Sequence, residues 1–328
     1  MIIVTGGAGF IGSNIVAALN EAGRRDILVV DKLRGGLKWQ NLRKRNMDDI
    51  IAPEALPAWL AAHGGQVETV IHMGANSSTM ATDGDDVLDR NYHFSRMLLD
   101  WCTTARVPLI YASSAATYGG GEQGFLDRED LEYLDTLHPL NLYGWSKHLF
   151  DKLVMTRREG GKPLPPVCIG LKFFNVFGPN EYHKGPMMSV ISRVFDEVKN
   201  GGAMRLFRSH REGWADGEQQ RDFVYVRDIA AIVIWLLSLR EGVGIYNVGS
   251  GAARSWNDLA AAIFAAIEQS PRVDYMEMPE HLRERYQYYT CADINRLRAL
   301  GWNQPMTGLE EAVTDYIKSY LDNEDRYH

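Results

Sequence analysis

Residues 2–14 read IIVTGGAGFIGSN, an apolar run that breaks into glycines at positions 6, 9 and 12 before an amphipathic stretch begins. The run has the length and composition of a buried strand, and the residues after it have helical spacing. Glycine permits a turn with positive φ and lets backbone N–H groups approach a pyrophosphate, whose charge is favoured at a helix N-terminus. A second apolar run, Ile27–Asp31, ends in a carboxylate roughly 20 residues beyond the glycines, where it can accept hydrogen bonds from an adenosine ribose. Strand, glycine turn, helix and acidic strand end together define a dinucleotide site. The cations after Asp31, namely Lys32, Arg34 and Lys38, can pair with a ribose 2′-phosphate, so the reading favours NADP, with NAD as the alternative.

The alternation continues outward from this unit. Thr69–Met73, Pro108–Ser113 and Val167–Phe173 read as further strands, separated by helix candidates Pro57–Ala62, Asn91–Thr104 and Tyr143–Arg158. Strands apolar on both faces belong to a parallel sheet covered by helices, so the fold class is a Rossmann-type, doubly wound α/β sheet. Past Phe173 the pattern loosens into a Gly/Pro-punctuated loop, a helix near Met187–Lys199 and a polar stretch Ser209–Gln220 that reads as a lid or an exposed loop. Strands at Asp222–Val226 and Ile245–Val248 bracket a helix, Asp228–Leu239. The expected division is a dinucleotide-binding domain of 1–174 plus roughly 222–250, with 175–221 plus roughly 251–328 as a smaller C-terminal α/β substrate lobe.

The chain has 328 residues, with 35 Lys+Arg against 42 Asp+Glu, a balance that argues against nucleic acid or a membrane surface as partner. Cys102, Cys168 and Cys291 lie too far apart for a CxxC pair, and no metal ligand set is read. With neither a signal-peptide pattern nor an apolar run of membrane-spanning length, the expected location is the cytoplasm.

Catalytic residues are suggested by two later motifs. YASSAATYG at 111–119 ends a strand in Ser113 and Ser114, and YGWSK at 143–147 opens a helix. In Tyr-x-x-x-Lys the two side chains share a helix face, so Lys147 is expected to draw the Tyr143 phenol toward ionisation and make it an acid/base for a carbinol. Ser114 would hydrogen-bond the same substrate oxygen.

With FFNVFGP at 173–179 and RDFVYVRD at 221–228 in the same order, the chain resembles the extended short-chain dehydrogenase/reductases that act on nucleotide-activated sugars. HMGANSST at 72–79, NVFGPNEYHKG at 175–185, DGEQQRDFVYV at 216–226 and ERYQYYTCADINRLRALGW at 284–302 are most similar to the branch that epimerises an ADP-activated heptose at C6. The resemblance implies that Phe10 and Ile11 line the cofactor. It implies that Asp31, Lys32 and Lys38 hold the adenosine ribose, and that Met73, Gly74, Ala75, Asn76 and Ser77 run under the dinucleotide. Asn91 and Val176 would also touch it. For the substrate it implies Asn175 on a sugar hydroxyl, Arg193 beside it, Leu206 and Phe207 flanking the base, Arg221 on the diphosphate and Tyr286 closing the far side. Tyr286 reads equally as a core residue. Pro53 stands where these epimerases can carry a cofactor lysine, and Pro186 and Arg193 where they can carry serine and histidine at the substrate.

Ala115 and Ala116 occupy positions where the related dehydratases place a carboxylate pair, which disfavours dehydration. The expected reaction is a redox-neutral epimerisation through a 6-keto intermediate, with Tyr143 and Lys184 as the two proton partners. Lys184 would also face the cofactor. The alternatives are a 4-epimerase of another nucleotide hexose and a non-catalytic cofactor-sensing module. The resemblance further implies a homo-oligomer, with a pentamer as one form, and a place in lipopolysaccharide inner-core heptose synthesis.

Overall fold

A computed structural model describes residues 1–283 and 286–328. Its main sheet is built from β1 (Ile2–Thr5), β2 (Ile27–Val30), β3 (Asp49–Ile51), β4 (Thr69–His72), β5 (Leu109–Ser114) and β6 (Val167–Phe173), with a seventh strand arriving late in the chain. Between β6 and that strand lie β7 (Asn175–Phe177), β8 (Met204–Phe207) and β9 (Gln220–Tyr225). The seventh strand is β10 (Gly242–Val248), and the short β11 (Ala253–Ser255) and β12 (Val273–Met276) follow it. The order across the large sheet is β10-β6-β5-β4-β1-β2-β3, all parallel. The order reverses at β1 and β4, and in such sheets ligands sit beyond the carboxyl ends of the strands at that point. This is the Rossmann-type sheet expected from the sequence.

Helices cover both faces. Helix Phe10–Glu21 packs beside helix Val226–Leu236 on one face, burying Ile15, Val16, Leu19, Ile229, Ile232 and Val233 with one side of the sheet. On the other face, helices Phe94–Ala105 and Leu142–Glu159 bury Leu98, Leu99, Phe150 and Val154. A third core gathers helices Val190–Lys199, Trp256–Ala266 and Leu309–Tyr316 with β8 and β9.

The C-terminal half departs from expectation in its pairing. Residues 222–225 were expected to return to the dinucleotide domain. They pair in a three-stranded sheet, β11-β9-β7, and the return is made by helix Val226–Leu236 and β10. A two-stranded parallel sheet, β12-β8, completes the smaller half. Leu297 and Trp302 rejoin the core of the large sheet although they lie within 251–328.

Candidate active site

The glycine turn is closed by backbone packing. Gly6 has φ +66°, and a Cβ there would lie 2.7 Å from the Gly74 backbone; at Gly12 it would lie 2.2 Å from the Gly6 carbonyl oxygen. Gly9 donates its N–H to the Gly6 carbonyl at 2.9 Å, and helix Phe10–Glu21 starts directly after it. The β4 end lies against this turn, with Met73 N–H on the Thr5 carbonyl at 3.1 Å and Gly74 N–H on Thr5 Oγ1 at 3.1 Å. Such a cradle, free of side chains and opening on a helix N-terminus, fits a dinucleotide pyrophosphate.

At the β2 end, Asp31 accepts from Ala8 N–H at 2.9 Å through one oxygen. Its other oxygen accepts from Lys32 N–H at 2.7 Å and Lys38 Nζ at 2.6 Å. Lys32 forms an ion pair with Glu54, the neighbour of Pro53. The two lysines expected to be free for a 2′-phosphate are thus matched by carboxylates.

Ala75 and Ser77 are exposed on the loop after β4. Asn91, expected to bond the dinucleotide, is fully buried and engaged within the protein. Its amide accepts from Asn76 N–H at 2.7 Å and donates to the Asn76 carbonyl and to Ser146 Oγ, both at 2.9 Å. Its side chain therefore ties that loop to the helix of Tyr143. It lies in a π-helical turn, Asp89–His93, a local widening that frequently marks functional sites.

Ser114 ends β5, and Asn141 caps helix Leu142–Glu159 by accepting from Gly144 N–H at 2.8 Å, so Tyr143 and Lys147 fall in its first turns. Ser114 Oγ accepts from Ala116 N–H at 3.1 Å. The expectation for Tyr143 needs correction. Burial raises its phenol above the ordinary range, the Ser114 hydroxyl opposes this, and Asp151 adds to the rise. Lys147 is 3% exposed and, among the described residues, has no hydrogen bond or ion pair. Burial pushes its pKa down to about 8, against the pull of Asp151 one turn on. A buried ammonium without a partner suits ribose hydroxyls of a bound dinucleotide.

Lys184 lies in the turn Tyr182–Met187, with Nζ 5.2 Å from the centre of the Phe10 ring. It therefore reaches the residue that follows the glycine turn. Burial lowers its pKa, and Glu181 opposes that. The loop is latched to the dinucleotide half: Asn14 Nδ2 donates to the Pro179 carbonyl at 3.0 Å, and Asn180 Nδ2 to Ser13 Oγ at 3.1 Å. Asn41 Nδ2 bridges the Ala8 carbonyl at 2.9 Å and the Asn180 carbonyl at 3.1 Å.

On the substrate side, Arg221 is 7% exposed, with its guanidinium 5.1 Å from the Tyr286 ring centre and 5.9 Å from that of Trp256. Its hydrogen bond runs to the Gln220 carbonyl at 2.8 Å, and among the described residues no carboxylate pairs with it. Asp222 receives Ser250 and Ala292, and Asp228 receives Thr307. Phe207 meets Tyr286 edge-on at 6.1 Å. Leu206, expected to flank the base, is a core residue of the smaller half. Asn175 and Arg193 are exposed, and Val176 is half-buried. Pro186 lies in the Lys184 turn. The stretch Ser209–Gln220 is tied down: His210 N–H donates to Tyr288 Oη at 2.9 Å and Asn257 to the Asp216 carbonyl at 3.0 Å. Glu284 and Arg285, which open the quoted ERYQ segment, lie outside the described residues.

Two groups next to this site escaped sequence reasoning. Thr5, His72 and Ser95 form a buried chain in which Thr5 Oγ1 meets His72 Nδ1 at 2.6 Å and His72 Nε2 meets Ser95 Oγ at 2.7 Å. Asp151 and Lys172 form a fully buried ion pair at 2.9 Å. The available signal was a lone lysine inside the apolar strand VCIGLKF and an aspartate one helical turn after Lys147.

A parallel sheet with a glycine cradle at its switch point and a Ser/Tyr/Lys set beside it defines a nicotinamide-dependent enzyme of the short-chain dehydrogenase type. The chain belongs to the NAD dependent epimerase/dehydratase family, whose pattern matches residues 2–249. It is 47% identical to the ADP-L-glycero-D-manno-heptose-6-epimerase of Fusobacterium nucleatum, over 100% of both chains. Among solved structures it is similar to the Helicobacter pylori protein of the same name, with TM-score 0.78 and 27% identity over 97% of this chain and 95% of that one. It is also similar to the Thermus thermophilus UDP-glucose 4-epimerase in complex with NAD, with TM-score 0.73 and 26% identity over 96% and 97% of the two chains.

Proposed function

We propose that this enzyme inverts C6 of the heptose in an ADP-glycero-manno-heptose through a transient 6-keto sugar. The observation that carries this reading is the place of Lys184. It supplies a second proton-transfer group beside the dinucleotide turn, in addition to Tyr143. A nicotinamide ring, when bound, would supply the hydride acceptor and donor. Ser114 would hold the C6 oxygen, and Lys147 would hold the nicotinamide ribose. Removing hydride from C6 requires the hydroxyl proton to leave to a base; the ketone then turns about the C5–C6 bond and presents its other face, where C6 regains the hydride and the oxygen a proton. Tyr143 and Lys184 serve the two orientations of that oxygen. Arg221, buried between aromatic rings and with no carboxylate on it among the described residues, takes the substrate diphosphate.

The cofactor reading shifts from NADP toward NAD. A 2′-phosphate would have to open the Asp31–Lys38 and Lys32–Glu54 pairs and sit against the Asp31 carboxylate. The nucleotide released on denaturing the purified protein, identified by mass, tests this; NADP would reverse it. The activity is tested by incubating the protein with ADP-D-glycero-D-manno-heptose, without added dinucleotide, and following inversion at C6 by NMR. Turnover confined to a different nucleotide sugar would overturn the substrate assignment.

A further inference from the structure

The Asp151–Lys172 pair takes part in none of these steps, yet both side chains are fully buried. Replacing a buried ion pair by apolar groups of similar volume is often neutral or stabilising, so stability by itself does not account for this one. Its connections do. Asp151 belongs to helix Leu142–Glu159, one turn beyond Lys147 and two beyond Tyr143. Its Oδ2 accepts from Lys172 Nζ at 2.9 Å and from Ser113 Oγ at 2.6 Å, while Oδ1 accepts from Tyr111 Oη at 3.1 Å. Lys172 lies on β6 directly across from Ser113. Its Nζ also donates to Thr117 Oγ1 at 2.5 Å and stands 4.8 Å from the Tyr118 ring centre. The Thr117 hydroxyl in turn donates to the Ser114 carbonyl at 2.8 Å.

We propose that Asp151 and Lys172 are positioning residues for the reacting centre, an ion pair that fixes the strand end bearing Ser114 against the helix bearing Tyr143 and Lys147. The inference rests on the reading in which those three residues act on the substrate carbinol. Lys172 acts through Thr117 on the Ser114 backbone, and Asp151 acts through Ser113. Neither touches substrate. A small displacement of a reacting group is enough to slow a step strongly, which is what loosening this pair would produce.

The test is a kinetic cycle on the full chain, with Lys172→Met and Ser114→Ala made singly and together. Lys172→Met is expected to lower kcat roughly tenfold or more, with KM and dinucleotide retention within about twofold of the parent. Lys172→Arg, which keeps donors toward Asp151 and Thr117, recovers most of the rate. In the Ser114→Ala background the same lysine change costs less, because the part of its effect that passes through the Ser114 hydroxyl has gone. An unchanged kcat in Lys172→Met, or an equal loss in both backgrounds, overturns the proposal. Where Lys172→Met does not fold, Asp151→Asn/Lys172→Met removes both charges, and a parental kcat in that variant overturns it likewise. A fully active Ser114→Ala enzyme would sink the underlying catalytic reading, whereas a slow Ser114→Ala beside a parental Lys172→Met would sink only the positioning role.

Discussion

At Gly12 one added methyl group would meet the Gly6 carbonyl at 2.2 Å, so the turn cannot keep its shape around any other residue. Gly12→Ala is expected to destabilise the protein by about 1–3 kcal/mol and to abolish retention of the dinucleotide, checked by absorbance of the released nucleotide after purification. Tyr143 and Lys184 present a different case, since in the proposed reaction their loss removes proton partners and leaves the cradle intact. Tyr143→Phe and Lys184→Ala should each reduce epimerisation by roughly 100-fold or more with cofactor still bound. Full activity in either would defeat the two-base scheme. Lys147, with its pKa near 8, is charged below that value and neutral above it. Activity should therefore fall as pH rises through about 8, and a rate constant flat to pH 10 would exclude the charged form as the working one.

Among the elements, the loop 178–187 shows how Lys184, the second proton partner of the proposed reaction, is held in place on irregular backbone. Asn14, Asn41 and Asn180 tie it to the glycine turn and its helix by side-chain amides rather than by a strand ladder. Asn41→Ala would leave the Ala8 and Asn180 carbonyls short of a donor, at a cost of about 1–3 kcal/mol. The expected signature is a lower melting temperature with a fall in kcat, because the loop carries Lys184. A loss of stability with kcat unchanged would place the latch outside catalysis. Helix Leu142–Glu159 is likewise set by contact: a Cβ at Gly144 would lie 2.6 Å from the Ala116 carbonyl, so glycine lets the Tyr143 turn approach the Ser114 turn.

For the described residues as a whole, burial lowers the imidazole pKa of His72 to about 3 and those of His148 and His183 to about 4, and it lowers that of His328 as well. Their ordinary value is 6.5, so between about 6.5 and 4 the unfolded chain binds protons that the native protein does not. Stability is thus expected to fall as pH drops from 6.5 toward 4, and these groups add no slope above 6.5. Denaturant titrations at a series of pH values check this, and His72→Asn should flatten the slope; a slope untouched by His72→Asn, His148→Asn and His183→Asn would assign acid sensitivity to other groups.

How much of this was legible follows the same physics. Strands β1 and β6 could be read residue for residue because buried parallel strands are continuously apolar, and the glycine turn because its spacing is a local steric demand. The order of Ser114, Tyr143 and Lys147 was also written in the chain. By contrast β3, β7 and β11 have only three residues each, and partner strands rather than local pattern define them. What lay beyond the sequence shares a cause: tertiary packing engages the side chains of Asn91 and Leu206, which the resemblance places at ligands, and burial, which no i to i+4 rule contains, acts on the Tyr143 phenol. The sequence by itself determined the sheet, the dinucleotide turn and the candidates for the reacting groups, since these rest on period, sterics and residue chemistry. Only the tertiary structure decided which charges are matched, as with Lys38 on Asp31 and Lys172 on Asp151, and which, like Arg221, meet no carboxylate among the described residues, because pairing depends on distances between segments far apart in the chain.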